Sequence, residues 1–347
     1  MLDGIDPGAL RHAAADEPGV RRTGTRRVRY VDERTGERVT ATTTLARIEE
    51  LVIPPAWGRV WICADDRGHI QATGRDAKGR KQYRYHPAYR RMREAEKFAD
   101  LVPFGEAVGP LRIAVAEDLE GRGWSRERLL ALVITLLDRT AVRIGNAEYA
   151  RTNKTFGLTT LHQDHVSVGE QTVRFCFVGK SAKEHEIELD DPALARAVRS
   201  CRQLPGQLLF QWKDADGALH PVRSDDVNLR LRQLTGLDVT AKTFRTWSAT
   251  VRAAELLSEA GPPASATAAT REVVAALDEV AEDLGNTRAV ARASYVHPAV
   301  TAAYEAGHLA DWWRDGPSRA AGGLHPQERR TLGVLRKARR AGLVPGA

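Results

Sequence analysis

The chain has 347 residues, 42% hydrophobic and 28% charged, and its 52 Lys and Arg against 45 Asp and Glu leave a net charge of +7. That mix excludes a disordered chain, a collagen-like repeat and a disulfide scaffold, and the length predicts about two domains. Cys63, Cys176 and Cys201 are odd in number and far apart, which predicts a reducing compartment. No apolar run approaches the ~20 residues of a membrane span, and the first residues lack the apolar stretch of a signal peptide. A basic cytoplasmic protein is expected, with a charge that suits a polyanion partner.

Residues 1–20, rich in Ala, Gly, Pro and Asp, read as a flexible arm. A basic cluster follows in Arg21, Arg22, Arg26, Arg27 and Arg29, with two short strands predicted about Arg34-Thr35-Gly36 as a hairpin. A short helix is expected from Thr44 to Leu51, stopped by Pro54-Pro55. GRVWICADD, HIQATGRDA and RKQYRYH read as strands, and Pro87 opens a helix. Residues 21–104 are therefore expected to form a β-rich N-terminal domain, with a linker near Leu101–Gly109.

Residues 105–347 read as mainly helical. The apolar run from Arg126 to Arg143 predicts a buried helix, and GLTTL, HVSV, TVRFCFV and HEIEL predict a small antiparallel sheet. Phe244, Trp247, Val251, Ala254 and Leu257 recur at helical spacing, as do Val273, Leu277, Val280 and Leu284, with Gly285 placed to end that second helix. The expected fold class is α+β: a small β-rich N-terminal domain and a larger, mainly α-helical domain with a small antiparallel sheet.

Several segments bear on chemistry. In the strand RKQYRYH, alternation points Lys81, Tyr83 and Tyr85 one way, beside Arg75 and Gln82. Such a face of cations and phenols suits phosphates and sugars, and equally a solvated edge strand. Gly179-Lys180 resembles the end of a phosphate-binding loop, but Arg174 stands where that loop needs glycine. Lys180 is thus expected at a hairpin tip. His162, Asp164 and His165 suggest a metal, yet no fourth ligand is evident and no metal is expected. Asp214 and Asp216 in KDADG read as a turn. Taken singly, Arg143 reads as a cation at a helix end, Arg245 as a half-buried structural arginine, Asn286 as an N-cap and Tyr295 as a tyrosine at a helix boundary.

Together these segments carry more. GRDAKGRKQYRY, VRIGNAEY, FVGKSAKEHEI, KTFRTWSAT and LGNTRAVARASY occur in this order, within a resemblance that covers about residues 20–310. The set resembles the type IB DNA topoisomerases, most closely the poxvirus-like bacterial branch. The resemblance implies a clamp around duplex DNA and a catalytic set of Arg143, Lys180, Arg245, Asn286 and Tyr295. It implies DNA contacts at Gln82, Tyr83, Tyr85 and Tyr149. Many relatives have His where Asn286 stands, and some have Lys where Asn146 stands.

The implied reaction relaxes positive and negative supercoils through a 3′-phosphotyrosyl bond, without ATP, a cofactor or a required metal. A monomer associated with the nucleoid is expected. A tyrosine recombinase is the alternative with the same Arg-Lys-Arg-Tyr chemistry, although the setting of Arg245 and the β-rich front argue against it. A non-catalytic DNA-binding protein would need only the basic N-terminal surface.

Overall fold

The computed structural model describes residues 6–24, 27–121, 123 and 125–343. Arg26, residues 1–5 of the expected arm and the chain beyond 343 lie outside them. The chain divides into two compact units at Lys97/Phe98.

The first unit holds β1 (Val20–Thr23), β2 (Arg29–Asp32), α1 (Thr42–Glu50), β3 (Gly58–Ile62), β4 (Ile70–Arg75) and β5 (Lys81–Tyr85), and ends in α2 (Pro87–Ala99), which runs across the division. The strands form one antiparallel sheet in the order β2-β1-β3-β4-β5. Ile48 and Leu51 pack with Val60 and Ile62 of β3 in one cluster, and Ala13 packs with Trp61 and Cys63 in another. The central strand is therefore covered on both faces.

That second cover corrects the expected arm. Ala13 is fully buried, Trp61 Nε1 donates to the Glu17 carbonyl at 2.9 Å, and Arg11 pairs with Asp65 at 2.7 Å and Glu17 at 2.9 Å. Covering one indole and one thiol takes only small residues, so the segment carries no apolar periodicity to read. The basic cluster also differs from the expected hairpin. β2 pairs along its length with β1, and only the Val31–Arg38 bridge closes the Arg34-Thr35-Gly36 turn.

The second unit begins with α3 (Leu101–Glu120) and α4 (Arg126–Thr140), followed by α5 (Ala147–Asn153). The expected linker and the boundary at residue 104 fall inside α3. Leu101, Phe104, Val108 and Leu111 are buried at helical spacing, and Pro103 lies in the first turn, where its missing N–H costs no hydrogen bond. A three-stranded antiparallel sheet follows, of β6 (Val166–Val168), β7 (Thr172–Val178) and β8 (Glu184–Asp190). GLTTL is not a strand: Leu158–Thr160 is a 3-10 turn, where Thr160 Oγ1 bonds to both the N–H and the C=O of Gly157. A hydroxyl tied to nearby backbone competes with a ladder.

Next come α6 (Pro192–Cys201), the hairpin β9 (Gln211–Lys213) and β10 (Leu219–Pro221), and α7 (Ser224–Thr235). The hairpin is too short to read from the sequence, but its KDADG turn is where expected. The chain continues through α8 (Ala241–Glu259), α9 (Ala266–Asp283), α10 (Arg288–Ser294), α11 (Pro298–Glu305), α12 (Leu309–Arg314) and α13 (Pro326–Arg340). Helix α4 lies at the centre, with Leu129, Leu130, Val133, Leu136 and Leu137 all buried. Among the described residues no helix is long and apolar enough to cross a membrane.

Candidate active site

Two helix ends and one helix face make the site. Helix α4 stops at Thr140, before Arg143, because Ala141 adopts the left-handed region at φ 50°. Arg143 follows outside the helix, where its carbonyl accepts from Leu158 N–H at 2.9 Å. Helix α9 ends at the anticipated glycine: Gly285 has φ +61°, its N–H donates to Glu282 O at 2.9 Å, and Asn286 N–H donates to Ala281 O at 2.8 Å. This paired closure needs positive φ at the glycine and turns the chain so that Asn286 meets Arg143. Arg143 Nη2 donates to Asn286 Oδ1 at 2.6 Å. Asn286 Nδ2 is buried with no protein partner. Thr287, not Asn286, caps α10, accepting from Val290 N–H, which removes the capping role the sequence left open.

Arg245 projects from α8 between those two ends and is only 4% exposed. Its Nη1 donates to the Ala141 carbonyl and its Nη2 to the Leu284 carbonyl. Both acceptors close helices whose last carbonyls have no partner within the helix. The Arg245 guanidinium lies 5.2 Å from the centroid of the Tyr295 ring, and Lys242 Nζ lies 5.7 Å from the same ring. Tyr295 closes α10 and is 8% exposed. Thr250, five residues along α8, donates to the Tyr295 carbonyl at 3.2 Å and accepts from His297 N–H at 3.1 Å. One helix thus carries the arginine and holds the tyrosine's backbone.

Burial pushes the Tyr295 phenol up, but the Arg245 charge and hydrogen bond, with Lys242 and Arg143, outweigh it and hold the group below its ordinary range. Burial first, then the Arg143 charge, lower the Arg245 guanidinium below its ordinary value, and Tyr295 offsets them only in part. Among the described residues neither Arg143 nor Arg245 pairs with a carboxylate. The pocket is thus positive and lined with donors.

Lys180 stands exposed on the turn between β7 and β8, closed by Gly179 N–H to Lys183 O at 2.7 Å. Among the described residues it makes no hydrogen bond or ion pair with the four clustered ones. Its turn is nonetheless anchored beside them: a Cβ on Gly285 would lie 3.3 Å from His185 Cε1 and 3.6 Å from Lys183 Cδ.

Residues 86–308 match the family described as eukaryotic DNA topoisomerase I, catalytic core, and residues 27–76 match the bacterial DNA topoisomerase IB N-terminal domain. The DNA topoisomerase 1B of Acanthamoeba polyphaga mimivirus is 31% identical over 262 residues, covering 74% of this chain and 78% of the relative. The chain belongs to the type IB DNA topoisomerase family. The vaccinia virus (strain Western Reserve) DNA topoisomerase 1B is 25% identical over 115 residues, 33% of this topoisomerase and 37% of the viral one. Among solved structures, the XerH site-specific recombinase bound to difH aligns at a TM-score of 0.35 and 15% identity, over 55% of this chain and 49% of the recombinase. An overlap that low carries no argument.

In the β-rich unit of the topoisomerase, β5 exposes Lys81, Tyr83 and Tyr85 on one face. The Tyr83 and Tyr85 rings stack at 5.7 Å, Tyr85 stacks on Tyr89 at 5.6 Å, and Lys81 Nζ sits 5.4 Å from the Tyr83 centroid. Gln82 lies on the other face and donates to Asp76 at 2.9 Å, while Arg75 donates to the Gly79 carbonyl at 2.6 Å. Tyr149 is exposed on α5, whose N-cap is Asn146, accepting from Glu148 and Tyr149 N–H groups.

His162, Asp164 and His165 do meet, with ligand-bearing atoms within 4.8 Å of one another. His165 Nδ1, however, accepts from the His162 N–H at 3.1 Å. In the neutral ring this puts the proton on Nε2, so neither nitrogen keeps a lone pair for a metal. Gln163–His165 forms the short turn that leads into β6.

Sequence reasoning missed Lys242, Thr250 and His185 as parts of the site. Lys242 sits at i−3 of Arg245 on one helix, so a helical wheel centred on that arginine would have flagged it, whereas Thr250 at i+5 lies well round the helix and carries no such signal.

Proposed function

We propose that this topoisomerase relaxes supercoiled duplex DNA of either sign by cutting one strand, letting it swivel and resealing it. In the cutting step Tyr295 Oη bonds to phosphorus and the bond from phosphorus to the 5′-oxygen breaks. The phenol's proton passes to water, and Lys180 gives one to the departing oxygen, since an unprotonated alkoxide leaves poorly. Resealing reverses each transfer. The phosphodiester energy is kept in the phosphotyrosyl bond, so resealing draws on no nucleotide.

Arg143 and Arg245 hold the non-bridging oxygens through paired N–H donors, and the unpartnered Nδ2 of Asn286 adds a third donor. Each pre-set donor contributes roughly 3–4 kcal/mol as charge develops. The lowered phenol of Tyr295 raises the fraction of attacking phenolate at neutral pH. Lys81, Tyr83 and Tyr85 suit the duplex backbone, as do Arg75, Gln82 and Tyr149. One chain supplies every catalytic side chain, which supports a monomer working at the nucleoid.

The observation that carries this reading is Arg245, pinned to two helix ends beside the Tyr295 ring with no carboxylate to cancel its charge. Plasmid relaxation in EDTA without ATP tests it, together with trapping of a covalent protein–DNA adduct. Activity and an adduct are expected, with activity falling as salt rises because phosphate contacts release counterions. A strict need for Mg²⁺ or ATP, or relaxation without an adduct, overturns it.

A further inference from the structure

The β7–β8 turn carries Lys180, yet Lys180 makes no hydrogen bond or ion pair with the clustered residues, so something else must fix where that turn sits. His185 is the side chain in the right place. It pairs across the strands with Phe177 and stacks on it, with ring centroids 5.1 Å apart and planes 17° from parallel. One edge of its ring faces Gly179, the residue before Lys180. A Cβ there would lie 2.5 Å from His185 Cδ2 and 2.6 Å from Nε2. Gly179 has φ −95° and ψ −165°, which any residue adopts, so its lack of a side chain serves the imidazole rather than the backbone. The other edge faces Gly285, where a Cβ would lie 3.3 Å from Cε1. Gly285 precedes Asn286, and Asn286 holds Arg143 at 2.6 Å.

We infer that His185 is a positioning residue: its ring, wedged between Gly179 and Gly285, sets the Lys180 turn against the corner that presents Asn286 and Arg143. A continuous line of contact then joins the proton donor to the phosphate-holding groups. The cations facing the ring are Lys183 on its own turn, Arg143 beyond α4 and Arg245 on α8. Burial, with those charges, holds the imidazole below its ordinary range, so at neutral pH the wedge is an uncharged ring that adds no further repulsion.

The inference rests on Lys180 as the general acid, and the experiment separates the two. Single-turnover cleavage is measured on ordinary duplex DNA and on DNA with a 5′-bridging sulfur at the scissile phosphate, whose thiolate leaves without a proton. Lys180→Ala is the reference and should be rescued by sulfur. His185→Ala should cleave ordinary DNA about tenfold or more slowly, part of the ~10²–10⁴ that a positioned acid contributes, and should recover on the sulfur substrate. His185→Phe keeps a flat ring against Phe177 and should restore most of the rate. Gly179→Ala drives a methyl into the imidazole and should repeat the His185→Ala pattern without depending on that variant's folding. The double variant should be no slower than the worse single, because both act at one seam.

A normal rate for His185→Ala and Gly179→Ala on ordinary DNA overturns the inference. So does an equal defect on both substrates while Lys180→Ala is rescued. If Lys180→Ala itself is not rescued, the acid assignment fails, and the role of His185 falls with it.

Discussion

Arg112 on α3 and Arg245 on α8 are arginines of the same helical unit, satisfied in opposite ways. Arg112 donates to both oxygens of Asp138 on α4, at 2.7 and 3.0 Å, and to both oxygens of Glu328 on α13, at 2.7 and 2.9 Å. Glu328 also accepts from Trp247 Nε1 at 2.9 Å. Burial would raise the Glu328 carboxyl, but Arg112 and the hydrogen bonds it receives hold it down. Arg245 donates to two backbone carbonyls and to the Tyr295 side chain, and among the described residues it pairs with no carboxylate. Carbonyls satisfy N–H groups without cancelling charge, whereas two carboxylates cancel it. The first arrangement ties helices together. The second leaves a positive field at Tyr295 that an incoming phosphate can use.

The contrast breaks most sharply at the tyrosine. Tyr295→Phe keeps the ring against Arg245 and removes only the attacking oxygen. Cleavage and the covalent adduct should vanish while DNA affinity stays near normal. An adduct that persists in this variant removes Tyr295 from the chemistry.

Arg245→Lys keeps a charge but loses the grip on both helix ends and the paired donors. Single-turnover cleavage should fall by about 10²–10³. A rate near that of the unaltered protein would mean that charge alone matters there.

Asn286→Ala removes one neutral donor and should slow transesterification by roughly 10²-fold. Asn286→His should keep most of the rate, because a neutral imidazole can accept from Arg143 with one nitrogen and donate with the other. A lowered melting point in Asn286→Ala with unchanged cleavage would return Asn286 to a structural role.

Lys242→Ala lifts one of the cations that hold the Tyr295 phenol down. The phenol should then ionise at higher pH, moving the rising limb of the cleavage profile upward and lowering the rate a few-fold at neutral pH. A profile measured across the alkaline range checks this, and an unmoved limb would count against it.

Arg112→Ala should leave the cleavage rate of folded protein unchanged. It should cost about 3 kcal/mol of stability, because a buried carboxylate, Glu328, and a half-buried one, Asp138, lose their cation. Denaturant titration and single-turnover cleavage on the same sample read both. A catalytic defect in fully folded protein would mean the two arginines are not separate systems.

Where residues bury an apolar face at a regular period, the fold was legible. Phe244 through Leu257 in α8 is such a run, and Leu129 through Leu137 in α4 was legible as a continuous apolar stretch buried almost throughout. The proposed catalytic set was suggested only by an ordered series of resembling segments, since Arg143, Asn286 and Tyr295 each had an ordinary reading alone. Burial by small residues was not legible, as at Ala13 over Trp61. Nor was the side-chain competition that bends Gly157–Thr160 out of a strand. His185 was hidden because its neighbours Gly179 and Gly285 are far apart in sequence and matter through atoms they lack.

Helix α8 has a further consequence as a ruler. Arg245 and Thr250 are five residues apart on one rigid rod, about 7.5 Å along its axis. The electrophile's clamp and the tyrosine's backbone anchor therefore share a single frame of reference. In the proposed reaction the cut strand turns through whole revolutions while still bound to Tyr295. Whatever the rotating DNA does to surrounding loops, the separation between nucleophile and clamp is reset by one helix, not negotiated between two. A nick held this way keeps its resealing geometry throughout its lifetime, so turns can be released many at a time without the break becoming permanent.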